Sequence, residues 1–198
     1  WGLPANVIPV ALNETTQVGF DFFAVALAFG ASTINILVNP SKTDELEGLQ
    51  NQIGLIETAA NGLGFGKNRV TIIDQADPES IADNLYSNVT SPEIVPGDFA
   101  PMGTKRTLAN LALNHLHDHA PTPVDLLPLS KGAPFGAIKV NTESCTLCLS
   151  CVAACPTGAF SQRQGGGGVV GKKHCIRCGE CVSACPVEAV SQDVHGEV

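Results

Sequence analysis

All eight cysteines of this 198-residue sequence lie between residues 145 and 185, in two copies of one motif. Each copy reads C-x2-C-x2-C-x3-C-P and ends in a proline, Pro156 or Pro186. Three thiolates at this spacing let one short loop bind three irons of a cubane, while amides left unpaired by the loop point at the sulfurs. The motif therefore predicts two 4Fe-4S clusters.

The fourth ligand of each cluster has to come from outside its loop. In this motif the cysteine before the proline binds the other cluster. The first cluster is therefore assigned to Cys145, Cys148, Cys151 and Cys185. The second cluster is assigned to Cys175, Cys178, Cys181 and Cys155. Each proline fixes its own backbone and lacks an amide donor, which ends the loop and helix after the crossed ligand.

The two motifs are repeats of each other at an offset of 30 residues, because ten of 18 positions are identical between residues 145–162 and 175–192. This duplication indicates approximate two-fold symmetry. Each half is predicted to form one short helix, at residues 151–154 and 181–184, and one strand, at 159–162 and 189–194. The glycines at 165–168 predict a hairpin turn. Apolar neighbours expected to exclude water from the clusters are Leu147, Val152, Phe160, Ile176 and Val182.

Two other uses of cysteine fit this pattern less well. Structural zinc sites usually have two C-x2-C pairs separated by a longer stretch, and they have no use for a third cysteine and a fourth before a proline. A disulfide framework needs an oxidising compartment and normally a small secreted chain. Iron is favoured over both alternatives.

Residues 135–198 resemble a bacterial-type ferredoxin with two 4Fe-4S clusters, on the strength of the two motifs and their repeat. The resemblance implies a small α+β domain with pseudo-two-fold symmetry. It also implies a metal-binding protein of electron transport that exchanges single electrons with redox protein partners.

The chain is acidic, and its charge is unevenly distributed. Residues 1–138 carry six Lys and Arg against 14 Asp and Glu, whereas residues 139–198 carry five of each kind. The absence of a basic stripe argues against a nucleic-acid partner. No apolar run approaches the roughly 20 residues that cross a bilayer, since Asp21 interrupts the longest one. The first residues lack the basic segment of a secretory signal, so we expect a cytoplasmic protein.

The sequence before the motifs predicts an α/β fold. Short apolar runs predict strands at residues 6–12, 34–38, 70–73 and 99–102. Helices are predicted at residues 20–29, from a Ser41 or Thr43 cap to about residue 62, after Asp77 and Pro78, and at 105–117. Such alternation gives a parallel sheet with flanking helices. We expect an α/β docking domain at 1–119, a Pro-rich linker at 120–134 and the ferredoxin-like domain at 135–198.

Residues 4–74 resemble the delta-subunit domain associated with methyl-viologen-reducing hydrogenases and heterodisulfide reductases. The shared features are the strand at 7–10, the helix at 20–29, the Gly30-Ala31 turn and the segments 62–64 and 69–70. That family has cysteines near its first two strands and this sequence has none before residue 145, so the resemblance implies a fold and no metal site. The whole arrangement is similar to dicluster ferredoxin-type proteins that accompany molybdenum-dependent formate dehydrogenases.

Four other segments have site-like patterns. Residues 62–67 follow a helix and precede a strand, the reverse of a dinucleotide loop, which favours a helix stop. Residues 103–106, Gly-Thr-Lys-Arg, begin a helix where an anion would be stabilised, although solvated basic residues are the simpler interpretation. His115, His117 and His119 are expected to complement a helix C-terminus rather than bind metal. His174 is placed beside Cys175, where its charge would tune the second cluster.

The sequence predicts electron transfer through two 4Fe-4S clusters, as a carrier or as a subunit serving a larger redox enzyme such as a formate dehydrogenase, without bond chemistry of its own. In one alternative, the N-terminal domain binds a flavin or nucleotide and the chain is an oxidoreductase subunit with the clusters as an internal wire. In another, the clusters only hold the C-terminal lobe together. A flavin absorption band and reversible reduction distinguish these alternatives.

Overall fold

The computed structural model describes residues 2–87, 92–124, 126–129, 133, 138–162, 168–170, 175, 177–192 and 196–197. The chain divides into two compact units, Trp1–Val124 and Asp125–Val198. Among the described residues, no helix has the length and apolar character needed to cross a membrane.

The first unit combines helices with a small parallel sheet. Its helices are α1 (Phe20–Ala28), α2 (Leu46–Gly62), α3 (Pro78–Tyr86) and α4 (Lys105–Asp118). Short 3-10 turns precede α1 and α2 at Thr15–Gln17 and Pro40–Glu45. Strands β1 (Ile34–Leu37) and β2 (Val70–Ile73) pair in parallel, with Ile34 opposite Val70 and Leu37 opposite Ile73.

Helix α1 lies at the centre of this unit because it packs against both α4 and α2. Phe23 and Leu27 of α1 have no exposed surface. Small side chains of α4, Ala109 and Ala112, are buried in the same unit, and small residues allow helix backbones to approach closely. Burying a side chain the size of Leu or Phe stabilises a fold by about 1.5–3 kcal/mol, so each of these buried side chains contributes to the stability of the unit.

The predicted helices at α1, α3 and α4 and the predicted strands at β1 and β2 are confirmed, with ends within a few residues. The predicted strands at residues 6–12 and 99–102 are wrong, since both ranges are fully described and neither forms a strand with any other described segment. Ile8 is 87% exposed and Val10 is 62% exposed. Pro9 lies between them, and a proline removes a donor that a sheet ladder requires. An apolar run that is interrupted by a proline forms a strand only where another strand pairs with it.

The start of α2 also differs from the prediction. Asn39, not Ser41, makes the local turn: its side-chain oxygen accepts from the amide and the hydroxyl of Ser41, at 3.0 and 2.9 Å. A 3-10 turn follows, and α2 begins only after Glu45, which makes no side-chain cap hydrogen bond. Ser41 is therefore not the cap, because its hydroxyl is used within the Asn39 turn; the side chain of Thr43 lies outside the description.

Arg69 joins three segments of the first unit and has no exposed surface. Its Nε and Nη2 donate to the carbonyl of Phe65, at 3.1 and 2.5 Å. Its Nη1 donates to the carbonyl of Ser32 and its Nη2 to that of Pro92, both at 2.7 Å. Burial lowers the pKa of Arg69, and the charge of Glu57 opposes this shift. The guanidinium therefore holds the turn after α2, the loop before β1 and the chain at residue 92 together.

The second unit is small and α+β. Its described strands form three antiparallel pairs: β3 (Leu126–Leu127) with β8 (Gly196–Glu197), β4 (Ile138–Val140) with β7 (Val190–Gln192), and β5 (Phe160–Gln162) with β6 (Gly168–Val170). Helices α5 (Ser150–Ala154) and α6 (Glu180–Ser183) pack against each other. The predicted short helices and the strands that follow them are thus confirmed. The hairpin turn between β5 and β6 lies largely outside the described residues.

Part of the range predicted to be a Pro-rich linker, residues 120–134, is packed in the second unit. Leu127 and Leu129 are buried, as is Ala133. Leu126 and Leu127 pair with the C-terminal strand β8.

Candidate metal centre

The two cysteine loops share a backbone conformation as well as a sequence. Leu147 and Arg177, the second residues after the first cysteine of each motif, have φ values of +57° and +56°. Leu149 and Gly179, which follow the second cysteine, have φ values of +61° and +85°. A left-handed conformation costs roughly 1–2 kcal/mol in residues other than glycine, and such strain concentrates at functional sites. Both loops therefore keep the same left-handed shape, although three of these four residues are not glycine and adopt it at a cost in conformational energy.

These left-handed residues position the third cysteine of each motif. Leu149 and Gly179 are the residues before α5 and α6, and their carbonyls accept from the amides of Val152 and Val182, at 3.0 and 2.9 Å. Cys151 and Cys181 consequently lie in the first turns of the two short helices, next to the loops that carry the preceding cysteines.

The structure brings Cys155 of the first motif together with all three loop cysteines of the second. One cavity is lined by Cys155, Cys175, Cys178 and Cys181, with Ile138, Ala159 and Phe160 among its apolar neighbours. Cys175 and Cys181 are only 9% and 7% exposed. Burial raises the pKa of the Cys181 thiol, and the neighbouring thiolate of Cys175 raises it further. This cavity holds the four cysteines that the sequence assigns to the second cluster.

The loop cysteines of the first motif lie in a more open environment. Cys145 and Cys151 are partly exposed and Cys148 is exposed. Burial raises the pKa of Cys151, and the charges of Cys145 and Cys148 add to this effect. The hydroxyl of Ser150, 3.4 Å from the Cys148 sulfur, lowers the pKa of that thiol. Cys185 packs against the same apolar cluster as Cys151, around Phe160, Cys181 and Val190.

Backbone amides donate to the two cysteines that precede prolines. The amide of Ala189 is 3.2 Å from the Cys185 sulfur. Burial raises the pKa of Cys155, but the amide of Phe160 and the hydroxyl and amide of Thr157 outweigh it and lower the pKa to about 7. Hydrogen bonds to the charged form favour that form, and the thiolate is the form that binds metal. The turn after Cys155 thus favours the thiolate form of its sulfur, and the turn after Cys185 donates one amide hydrogen bond to its sulfur.

These residues fit two 4Fe-4S clusters by their donor chemistry. Thiolates are soft ligands suited to iron-sulfur clusters, and here they adjoin apolar side chains and amide donors. Within the described part of the chain, no three His, Cys, Asp or Glu side chains converge on a single-ion site. A four-iron cluster takes one thiolate per iron, so its four ligands need not converge on one point.

The predicted apolar neighbours are confirmed in part. Phe160 is buried, and Val152 and Val182 are partly exposed and pack against the cluster formed by Phe160, Cys181 and Val190. The expectation for Leu147 is wrong, because its left-handed loop position leaves the side chain 60% exposed. Ile176 and His174 lie outside the described residues.

The Gly-rich segment at residues 62–67 is a packed helix stop, as predicted. Gly64 has a φ of +87°, and a Cβ there would lie 2.8 Å from the hydroxyl oxygen of Thr122. The amide of Thr122 donates to the carbonyl of Leu63 at 3.1 Å. The glycine is therefore required by the close approach of the chain at Thr122.

The basic start of α4 is capped by its own chain. Thr104 accepts from the amide of Thr107 at 3.2 Å. Lys105 lines an open groove together with Glu14 and Asp21. Acidic side chains thus accompany this lysine, which agrees with the simpler interpretation of a solvated basic residue.

The histidines at the end of α4 take part in local packing. The rings of His115 and His119 lie 4.3 Å apart, so these two side chains share one face at the end of the helix. His119 Nδ1 lies 2.9 Å from the carbonyl of His115, and His115 Nε2 lies 2.7 Å from the carbonyl of Val95. His117 lies 3.8 Å from the carboxylate of Asp118.

One comparison with known proteins matches the part of the second unit that carries the cysteines. Residues 137–186, about a quarter of the chain, match a family model described as a 4Fe-4S dicluster domain. The match includes all eight cysteines. The chain has no significant match among curated proteins. The cofactors of this part of the chain are therefore two 4Fe-4S clusters, and its chemistry is that of a ferredoxin-type domain.

Proposed function

We propose that this chain transfers single electrons through two 4Fe-4S clusters, as a carrier or as a subunit serving a larger redox enzyme. The observation that carries the proposal is the cavity lined by Cys155 together with Cys175, Cys178 and Cys181. When bound, the clusters supply one-electron chemistry at potentials set by charge, hydrogen bonds to sulfur and solvent exposure.

Backbone amides and apolar side chains of the chain stabilise the cysteine thiolates and exclude water from their surroundings. Amides beyond each proline donate to Cys155 and Cys185 and stabilise negative charge on the sulfurs. Phe160 and Val190 form an apolar cluster that cysteines of both ligand sets contact, including Cys151. Apolar packing shared by the two sets supports a short path for electrons between the two centres.

We further infer the crossed ligand sets and the pseudo-two-fold symmetry from the repeat. The left-handed φ values recur at matching positions in both loops, and also at Gly158 and Glu188, with +65° and +50°. Equal loop shapes support equal binding of three irons by each loop. The cavity around Cys155 supports a fourth ligand taken from the other motif.

Paired cysteine variants test the crossing. Cys155→Ala is expected to remove one cluster, or roughly four irons per chain. Adding Cys178→Ala should cause little further loss because both residues belong to the second set. Adding Cys148→Ala instead should remove both clusters, since it belongs to the first set. Anaerobic iron and sulfide analysis provides the measurement, and the opposite pattern for the two double variants would refute the crossed assignment.

The first unit is proposed to dock the chain to the redox enzyme, a formate dehydrogenase being one such enzyme. Its segment at residues 3–12 carries large apolar side chains in contact with solvent: Leu3 is 53% exposed, Ile8 87% and Val10 62%. Exposed apolar surface of this kind often marks an interaction site. It supports a protein partner for this unit.

Anaerobic iron and sulfide quantitation with EPR of the dithionite-reduced protein tests the function as a whole. About eight irons per chain and spin-coupled signals of reduced 4Fe-4S clusters are expected. Zinc in place of iron, or clusters that dithionite does not reduce, would contradict electron transfer. A flavin absorption band in the same sample would favour the oxidoreductase alternative.

A further inference from the structure

The two cluster loops differ in charge at one position where their backbones agree. Leu147 in the first loop and Arg177 in the second are 30 residues apart in the repeat and have nearly the same left-handed φ. Leu147 is 60% exposed and carries no charge. Arg177 is partly buried and carries a permanent positive charge.

Arg177 is held at the second site by its contacts. It lines the cavity that contains Cys155, Cys175, Cys178 and Cys181, and it is the one cationic residue among the described residues of that lining. Its Nη1 donates to the carbonyl of Ala133 at 2.9 Å. Its own carbonyl accepts from Nε2 of Gln192 at 3.2 Å. These contacts fix the backbone and the guanidinium of Arg177, a residue that lines the same cavity as the four cysteines.

The second site is also the more shielded of the two. Cys175 and Cys181 are buried, whereas their counterparts Cys145 and Cys151 are partly exposed. A shielded centre resists gaining negative charge, because charge is less stable away from water. A fixed cation beside the same centre stabilises the added charge and opposes this resistance.

We infer that Arg177 raises the reduction potential of the second cluster and so offsets the shielding of its cysteines. The inference rests on the proposed function. One electron is added to the cluster from an external reductant, with no bond formed or broken, and the positive charge of Arg177 favours the reduced state. The first loop, with the Leu147 side chain exposed at its surface, then remains the more accessible end for exchange with a partner.

Redox titration of the intact protein, followed by EPR under anaerobic conditions, tests this role. Arg177→Leu copies the first loop and is expected to weaken one-electron reduction of one cluster about tenfold, a shift of about 59 mV to lower potential. Leu147→Arg copies the second loop and is expected to shift one potential upward. Because the two centres interact, the comparison uses the pair of apparent potentials of each variant.

Arg177→Lys is the control that separates charge from packing. It keeps the charge but not the planar guanidinium that reaches Ala133, so potentials close to those of the unchanged protein are expected. Equal shifts in Arg177→Lys and Arg177→Leu would overturn the inference in favour of packing. If Arg177→Leu loses iron, Arg177→Gln takes its place; unchanged potentials in a neutral variant with about eight irons would also overturn it. Absence of reducible clusters in the unchanged protein would instead contradict the proposed function.

Discussion

At the scale of single residues, one fully buried arginine links separate segments of the first unit. Arg69 donates to carbonyls of three separate segments, and Glu57 accepts from the amides of Asn68 and Val70, at 2.7 Å each. Together they fix the chain where it enters β2. A charge in this position is stable only because its donors are matched by carbonyls, as buried charges require.

Arg69→Met is therefore expected to lower the free energy of unfolding by about 3 kcal/mol, because it leaves buried carbonyls without donors. Urea unfolding followed by circular dichroism at the helix band measures the change. Lys67→Met is the matched control: Lys67 is exposed and two residues away, so its variant should unfold at nearly the same urea concentration as the unchanged protein. Equal stability of the two variants would contradict a structural role for the Arg69 hydrogen bonds.

At the scale of elements, α4 depends on its N-terminal cap. The Thr104 hydroxyl accepts from the amide of Thr107 and also contacts the Thr107 hydroxyl, at 3.0 Å. The first turn of α4 has no acidic residue and begins with Lys105 and Arg106, so the side chains of this turn add no negative charge to complement the positive helix end. The cap is consequently the main local interaction that starts this helix.

Thr104→Ala is expected to reduce stability by about 1 kcal/mol, as for other N-cap threonines. Thermal unfolding of the iron-loaded protein measures the loss. Thr58→Ala in α2 removes a hydroxyl that bonds the carbonyl of Gly54, four residues earlier; such a bond adds little to a helix, so this variant should be neutral or slightly stabilised. A larger loss at Thr58 than at Thr104 would show that capping does not control α4.

The elements that bind iron are shorter and less regular than those of the first unit. Helices α5 and α6 have five and four residues, well below the length at which isolated helices are stable in water. Their shape therefore depends on tertiary contacts and on the bound clusters rather than on helix propensity.

At the scale of the whole molecule, the two units draw on different sources of stability. The first unit has an extensive apolar core centred on α1, whereas the second has a small cluster around Phe160, Cys181 and Val190. A small domain with a limited core commonly relies on metal for its fold. Ligand binding to the folded state alone adds directly to its stability.

Removal of iron by a chelator is thus expected to unfold the second unit and leave the first folded. Hydrogen exchange measured by mass spectrometry checks this region by region: amides at residues 138–162 and 177–192 should lose protection, while those of α1 and α4 should keep theirs. Retained protection in the cysteine loops after complete iron loss would show that the second unit folds without its clusters.

The cofactors and most helices could be predicted from the sequence, because their signals are local. Cysteine spacing fixes which sulfurs one loop can present, and an apolar or amphipathic run such as that of α1 needs no distant partner to be recognised. The start of α5 is also a local feature, because the left-handed residue that precedes this helix, Leu149, lies within the first cysteine motif.

Other features were decided by tertiary structure, since they depend on contacts between distant residues. The run at residues 6–12 has strand composition, but among the described residues no segment pairs with it, and Ile8 is exposed. Arg69 is an ordinary charged residue in the sequence, and only the approach of Ser32 and Pro92 makes it a buried link. Likewise the repeat specifies two equal loops, whereas the fold leaves Cys145 partly exposed and buries Cys175. Burial and hydrogen bonding are properties of the packed chain, so they cannot be determined from local sequence.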